Sequence, residues 1–114
     1  MTDPSMLTTN NSPVRLHKVY GYIHIWSSTG EIRVQCTDPQ TIRVLIRAIK
    51  NTFRDIQSET REDLTGQVYV VKFTGLEPEE QFQKLGWWLF KMLCNQGWEP
   101  METGEHLYKM KRFS

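Results

Sequence analysis

The sequence is poor in the residues that most chemistry needs. It holds two cysteines, Cys36 and Cys94, and three histidines, His17, His24 and His106. Two cysteines are too few for a disulfide framework. Both stand inside apolar patterns, so both are expected as reduced thiols of the core. No histidine has a Cys, His or carboxylate at the spacing of a metal site. Gly66, Gly75 and Gly86 are isolated, so no glycine-rich loop cradles a phosphate. No apolar run approaches the ~18 residues of a membrane span. A surplus of one charge is missing too. The net charge of +1 gives no global drive toward nucleic acid or membrane, so electrostatic binding has to come from local clustering. The first residues lack the charged-then-apolar layout of a signal peptide. The expectation is an intracellular protein, cytoplasmic or nuclear, with neither cofactor nor metal.

Carboxylates do cluster, as Glu59, Glu62 and Asp63, as Glu77, Glu79 and Glu80, and as Glu99, Glu102 and Glu105. A hydrolytic pair needs two carboxylates facing across a cleft, one with a shifted pKa. Helix starts and polar loops account for all three clusters. No catalytic constellation is met, so the chain is not expected to be an enzyme.

What is present reads as α+β. Residues 1–13 are rich in Ser, Thr, Asn and Pro and read as a disordered N-terminal tail. Residues 14–114 read as one domain. Val19, Gly21, Ile23 and Ile25 alternate with Tyr20, Tyr22, His24 and Trp26. After Ser27-Ser28-Thr29-Gly30, Ile32, Val34 and Cys36 alternate with Glu31, Arg33 and Gln35. This predicts a β-hairpin with a four-residue loop, pairing Trp26 with Glu31, Ile25 with Ile32 and Ile23 with Val34. Every aliphatic residue then shares one face. That register turns Cys36 into the core and sets a neutral His24 opposite Arg33.

Asp38 and Pro39 open a helix that the periodicity carries to Ile56, with Ile42, Leu45, Ile46, Ile49, Phe53 and Ile56 on its apolar face. Polar residues 57–66 read as a loop. Gln67 to Thr74 has apolar groups on both faces, as a central strand does. A second helix starts near Glu77-Pro78 and carries Phe82, Leu85, Leu89, Met92 and Leu93. Gly97 stops it, letting Trp98 fold back onto Leu93. His106 to Arg112 is a last strand, with Trp98 to Met101 as an optional partner. The predicted order is β-β-α-β-α-β with an optional extra strand: a four- to five-stranded mainly antiparallel sheet with two helices packed on one face.

Three surfaces are candidates for binding. The first helix carries a basic stripe, Arg43, Arg47, Lys50 and Arg54. Arginine favours an anionic partner, because its fork matches carboxylate and phosphate. Lys109, Lys111 and Arg112 are candidates to extend that patch. The second helix holds more aromatic mass than one face buries, and Trp87, with Phe90 beside it, points outward as an interface anchor. It is also the face through which the chain would form a homo-oligomer. The open sheet face offers Tyr20, Tyr22, Trp26 and Arg33, a set resembling in type the stacking platform of a single-strand RNA binder. The reading is a non-enzymatic protein-interaction module, an adaptor or subunit of a larger intracellular complex, with a protein as partner. One alternative is single-stranded RNA or other nucleic acid bound by the aromatic face or the basic helix. A second is an anionic membrane surface bound by the basic amphipathic helix.

Overall fold

The computed structural model describes residues 19–113. The tail expectation for residues 1–13 and the histidine at position 17 lie outside them. The elements are β1 (Val19–Ser28), β2 (Glu31–Cys36), α1 (Pro39–Thr52), β3 (Ile56–Asp63), β4 (Gly66–Phe73), α2 (Pro78–Gln81), a π-helical turn (Phe82–Gly86), α3 (Trp87–Asn95), β5 (Glu99–Thr103) and β6 (Leu107–Phe113). All strand pairs are antiparallel and form one six-stranded sheet, order β3-β4-β2-β1-β6-β5. The class is α+β, as expected, with six strands rather than four or five.

The first hairpin closes more tightly than predicted. Ser28 pairs with Glu31, so the turn is Thr29-Gly30, both in the left-handed region (φ 50° and 77°). Such two-residue turns match the twist of the strands they join. The register is therefore two residues off the expected one: Ile25 faces Val34 and Ile23 faces Cys36. A slip of two keeps each side chain on its face. Ile23, Ile25, Ile32 and Val34 are all buried in the core.

Asp38 caps α1 by accepting the Thr41 N–H at 3.0 Å. The helix stops at Thr52, short of the predicted Ile56. Ile56 instead opens β3, which pairs with β4 over its whole length, from Ile56–Phe73 to Asp63–Gly66. The polar stretch 57–66 is thus a charged edge strand and its turn, not a loop. Arg54 consequently stands beyond the helix, off the stripe made by Arg43, Arg47 and Lys50. β4 lies between β3 and β2, the interior place its two apolar faces required.

Both helical segments pack on one face of the sheet. Leu45 and Ile49 of α1 and Phe82, Leu85, Leu89 and Leu93 of the second segment are fully buried against the hairpin aliphatics, Val71 and Met110. A single wide π turn interrupts the second segment, and Gly86 sits inside it. A Cβ there would lie 3.2 Å from the Phe82 ring. At the end of α3, Trp98 N–H donates to the Leu93 carbonyl and Gly97 N–H to that of Cys94, with Gly97 at φ 94°. This is the expected glycine stop, and it carries Trp98 into the core. Cys94 faces solvent, which corrects its expected burial; it sits on the outward side of α3, as Trp87 does.

Gln81 is a buried polar residue that the apolar pattern did not reveal. Its side-chain Oε1 accepts the Phe73 N–H at 2.9 Å, and its Nε2 donates to the Gly30 carbonyl (3.2 Å) and the Leu76 carbonyl (3.1 Å). The β2–β4 ladder pairs Ile32 with Val71, so its next step out would set Gly30 against Phe73. The Gln81 amide fills that step and stands in for a missing rung.

Candidate functional site

Three regions hold the residues singled out above, and the first and third meet, because Tyr22 and His24 of the sheet face also line the cleft beside α1. The first is the sheet face without helices. The pairings put Trp26 beside Arg33 and Leu107, His24 beside Gln35 and Lys109, and Tyr22 beside Lys111. His24 therefore faces Gln35, not Arg33, and it stacks on Trp26 with ring centroids 4.2 Å apart. Partial burial, and then nearby Lys109, push the His24 pKa down, which favours the neutral ring. The side chain of Tyr20 lies outside the description. Lys109 and Lys111 lie on this face, across the sheet from α1, so they do not extend the α1 patch.

The cations here are mostly answered. Arg61 forks onto Glu31 with two contacts of 3.1 Å and also reaches Glu59 at 3.0 Å. Arg33 meets Glu31 at 3.3 Å, and Lys109 meets Glu102 at 3.7 Å. The pairings of Arg33 with Val70 and Arg61 with Val68 lay the arginine stems over two buried valines outside the main core. A phosphate would have to displace these carboxylates. The hydrogen bond from Arg61, helped by Arg33, holds the Glu31 carboxyl below the ordinary carboxylate range. A depressed folded pKa stabilises the fold above the unfolded pKa, and that gain is lost as pH falls through the folded one. The expected result is that Glu31→Gln lowers the melting temperature near neutral pH, and that the two melting curves converge in acid.

The second region is the far side of α3. Trp87 is 48 % exposed and stacks with half-buried Phe90 at 5.6 Å. Phe90 in turn stacks on Tyr108 at 4.7 Å, and Tyr108 on Phe82 at 5.1 Å. The outward ring is thus seated on a ladder of aromatics that reaches the core.

The third region is a cleft of about 850 Å³ between α1 and the β3–β4 hairpin. It exists because β2 parts from β4 after Val34. One side-chain bond spans the gap, Gln35 Nε2 to Thr65 Oγ1 at 2.8 Å. Thr65 is held by Asp63, whose Oδ1 accepts both its N–H (2.8 Å) and its hydroxyl (2.7 Å). These bonds lower the Asp63 pKa. Ile42 and Ile46 of α1 line one side, and Tyr69 forms the floor, its hydroxyl donating to Ser58 Oγ at 2.6 Å. Cys36 packs against the core yet also lines this cleft, half-buried rather than wholly inside. Burial raises its thiol pKa, so the thiol is a weak nucleophile.

Among the described residues, Arg43 is the one charged side chain lining the cleft, and it is exposed. It and Ile46 also line a shallow surface hollow with Arg47 and Lys50. The cleft and the basic stripe therefore form one continuous surface. Arg43 bonds to Gln40 Oε1 at 3.1 Å. Among the described residues, no ion pair engages Arg43, Arg47, Lys50 or Arg54. No group of three or more His, Cys, Asp or Glu among them could hold a metal ion, and no helix is long and apolar enough to cross a membrane.

Sequence periodicity picked out the stripe but not the cleft beside it. Its hairpin wall lay in the segment read as a loop. Comparison with protein-family models, with curated proteins and with solved structures finds no match to this chain.

Proposed function

We propose that this protein is a non-enzymatic protein-interaction module, an adaptor or subunit of a larger intracellular complex, that takes an acidic segment of a partner protein along α1. An apolar side chain of that segment enters the cleft over Ile42, Ile46 and Tyr69, and its carboxylates meet Arg43, Arg47 and Lys50. The observation that carries this reading is the continuity of cleft and stripe through Arg43 and Ile46. A phosphate backbone or a lipid headgroup has use for the cations alone. A peptide with alternating acidic and apolar residues has use for both parts. The paired arginines of the open sheet face weigh against nucleic acid there. Trp87 and Phe90 supply the second contact that an adaptor needs, a rigid aromatic anchor of the type enriched at interfaces.

The test is fluorescence anisotropy with a labelled peptide of alternating Glu and Leu, alongside single-stranded RNA. Wild type is expected to bind the peptide with an affinity that falls as salt rises. Arg43→Glu/Arg47→Glu is expected to weaken binding by roughly a hundredfold, on the order of 1–1.5 kcal/mol per reversed contact. Ile46→Asp is expected to weaken it with the cations intact. Peptide binding that ignores both variants, or tighter binding of RNA than of peptide, would sink the proposal.

A further inference from the structure

The two outer strands of the sheet are built differently. β5 has five residues, contains Pro100 and breaks register between Pro100 and Glu102. These devices blunt an edge against further pairing. β3 has eight residues, no proline and an unbroken register with β4.

The direction of the backbone groups that β3 leaves unpaired among the described residues follows from one bond. Thr74 N–H donates to the Asp55 carbonyl at 3.0 Å, one step beyond the Ile56–Phe73 pair. Bonded pairs alternate along an antiparallel ladder. Gln57, Glu59, Arg61 and Asp63 therefore bond to β4, while Ile56, Ser58, Thr60 and Glu62 turn their N–H and C=O outward.

We propose that this edge pairs with the β3 edge of a second copy of the chain, antiparallel, about a two-fold axis at Thr60. Outward residues have to face outward residues, which leaves few symmetric registers. With Thr60 facing itself, Glu59 of each copy faces Arg61 of the other, twice over. Ile56 then faces Leu64, which is fully exposed at the hairpin tip. Moving the axis to Glu59 sets Glu59 against Glu59 and Asp55 against Asp63. Moving it to Arg61 sets Arg61 against Arg61 and Glu59 against Asp63. Like charges placed opposite each other disfavour both. An axis at Ser58 avoids the repulsion but shortens the overlap. Within one chain Arg61 already bonds Glu31 and Glu59; opposite an edge of the same sequence, the charge order along β3 and the length of overlap together favour the Thr60 register. The paired residues share a face, so both clefts open on the same side of a twelve-stranded sheet.

Sedimentation velocity and site-directed cross-linking test this on the full chain. Wild type is expected to sediment as a dimer that dissociates on dilution. Glu59→Arg turns two opposite-charge facings into like-charge ones and is expected to weaken self-association by about tenfold or more. Thr60→Pro removes an outward N–H and is expected to yield a monomer; a retained cooperative melt shows that it still folds. In a Cys36→Ala/Cys94→Ser background, Thr60→Cys is expected to form a disulfide dimer on oxidation and Gln57→Cys is not. A wild type that stays monomeric at its highest soluble concentration overturns the proposal. So does a dimer indifferent to Glu59→Arg, or equal cross-linking at both positions. Peptide binding by a monomer would leave the cleft reading standing while this one falls.

Discussion

Gln81→Leu is expected to cost about 3 kcal/mol and to lower the melting temperature by roughly 15 °C, since each buried polar group left unpaired costs about 1–3 kcal/mol and a domain of this size melts about 4–8 °C lower per kcal/mol. Leucine is close to glutamine in volume, so packing changes little. What it removes is the acceptor for Phe73 N–H and the donors to Gly30 and Leu76. Gly30 belongs to a turn whose other central residue, Thr29, is β-branched at φ 50°. That conformation is unfavourable for such a residue and holds only where its surroundings fix it. The Gln81 amide is part of that fixing. Gln81→Glu should behave differently. It keeps the acceptor but loses both donations and buries a charge, so its stability deficit should shrink as pH falls and the carboxyl gains a proton. Thermal denaturation followed by circular dichroism across pH reads both variants. A Gln81→Leu melting curve that overlays wild type would mean the amide is not structural.

Trp98→Ala is expected to cost about 3–5 kcal/mol, the usual penalty for emptying a buried aromatic site. Trp98 is 2 % exposed, lies 3.6 Å from where a Cβ on Gly21 would stand, and has the Arg112 guanidinium 6.0 Å from its ring centroid. Its indole nitrogen is buried and has no hydrogen-bond partner among the described residues. Trp98→Phe thus surrenders volume but no hydrogen bond, and should cost only about a third as much as the alanine variant. Urea denaturation separates the two. Equal losses for alanine and phenylalanine would show that ring volume is not what stabilises this site.

The same residues show why part of the fold was legible in sequence. Ile23, Ile25, Ile32 and Val34 share a face through period-two alternation, which holds whatever the turn does. The turn itself is not legible, because it needs two left-handed residues and a threonine at the first of them gives no such signal. β3 hides in the sequence because its side chains advertise solvent. An edge strand takes stability from backbone pairing with β4, and that leaves no hydrophobic trace in Glu59, Arg61 or Glu62. The end of α1 is masked for a related reason. Phe53 and Ile56 continue the apolar period, yet they reach the same core from a helix cap and a strand. The basic stripe was visible because charge repeats as hydrophobicity does. The cleft beside it depends on where β2 leaves β4, a tertiary event that no local pattern records. Gln81 left a faint mark, standing four residues before Leu85 on the core-facing stripe, where a polar side chain needs partners.

The wide turn at Phe82–Gly86 has a consequence for how this chain tolerates changes of length. A π turn holds one residue more than the α-helical path between the same ends. Deleting one residue there would restore a regular helix between the same ends and leave the downstream segment in phase. Leu89 and Leu93 would stay in the core, and Trp87 would remain the ring left outside. A deletion further on, within α3, would instead rotate everything beyond it by about 100° and carry apolar side chains out of the core. The wide turn is thus where this segment can lose a residue without redrawing the surface that α3 offers.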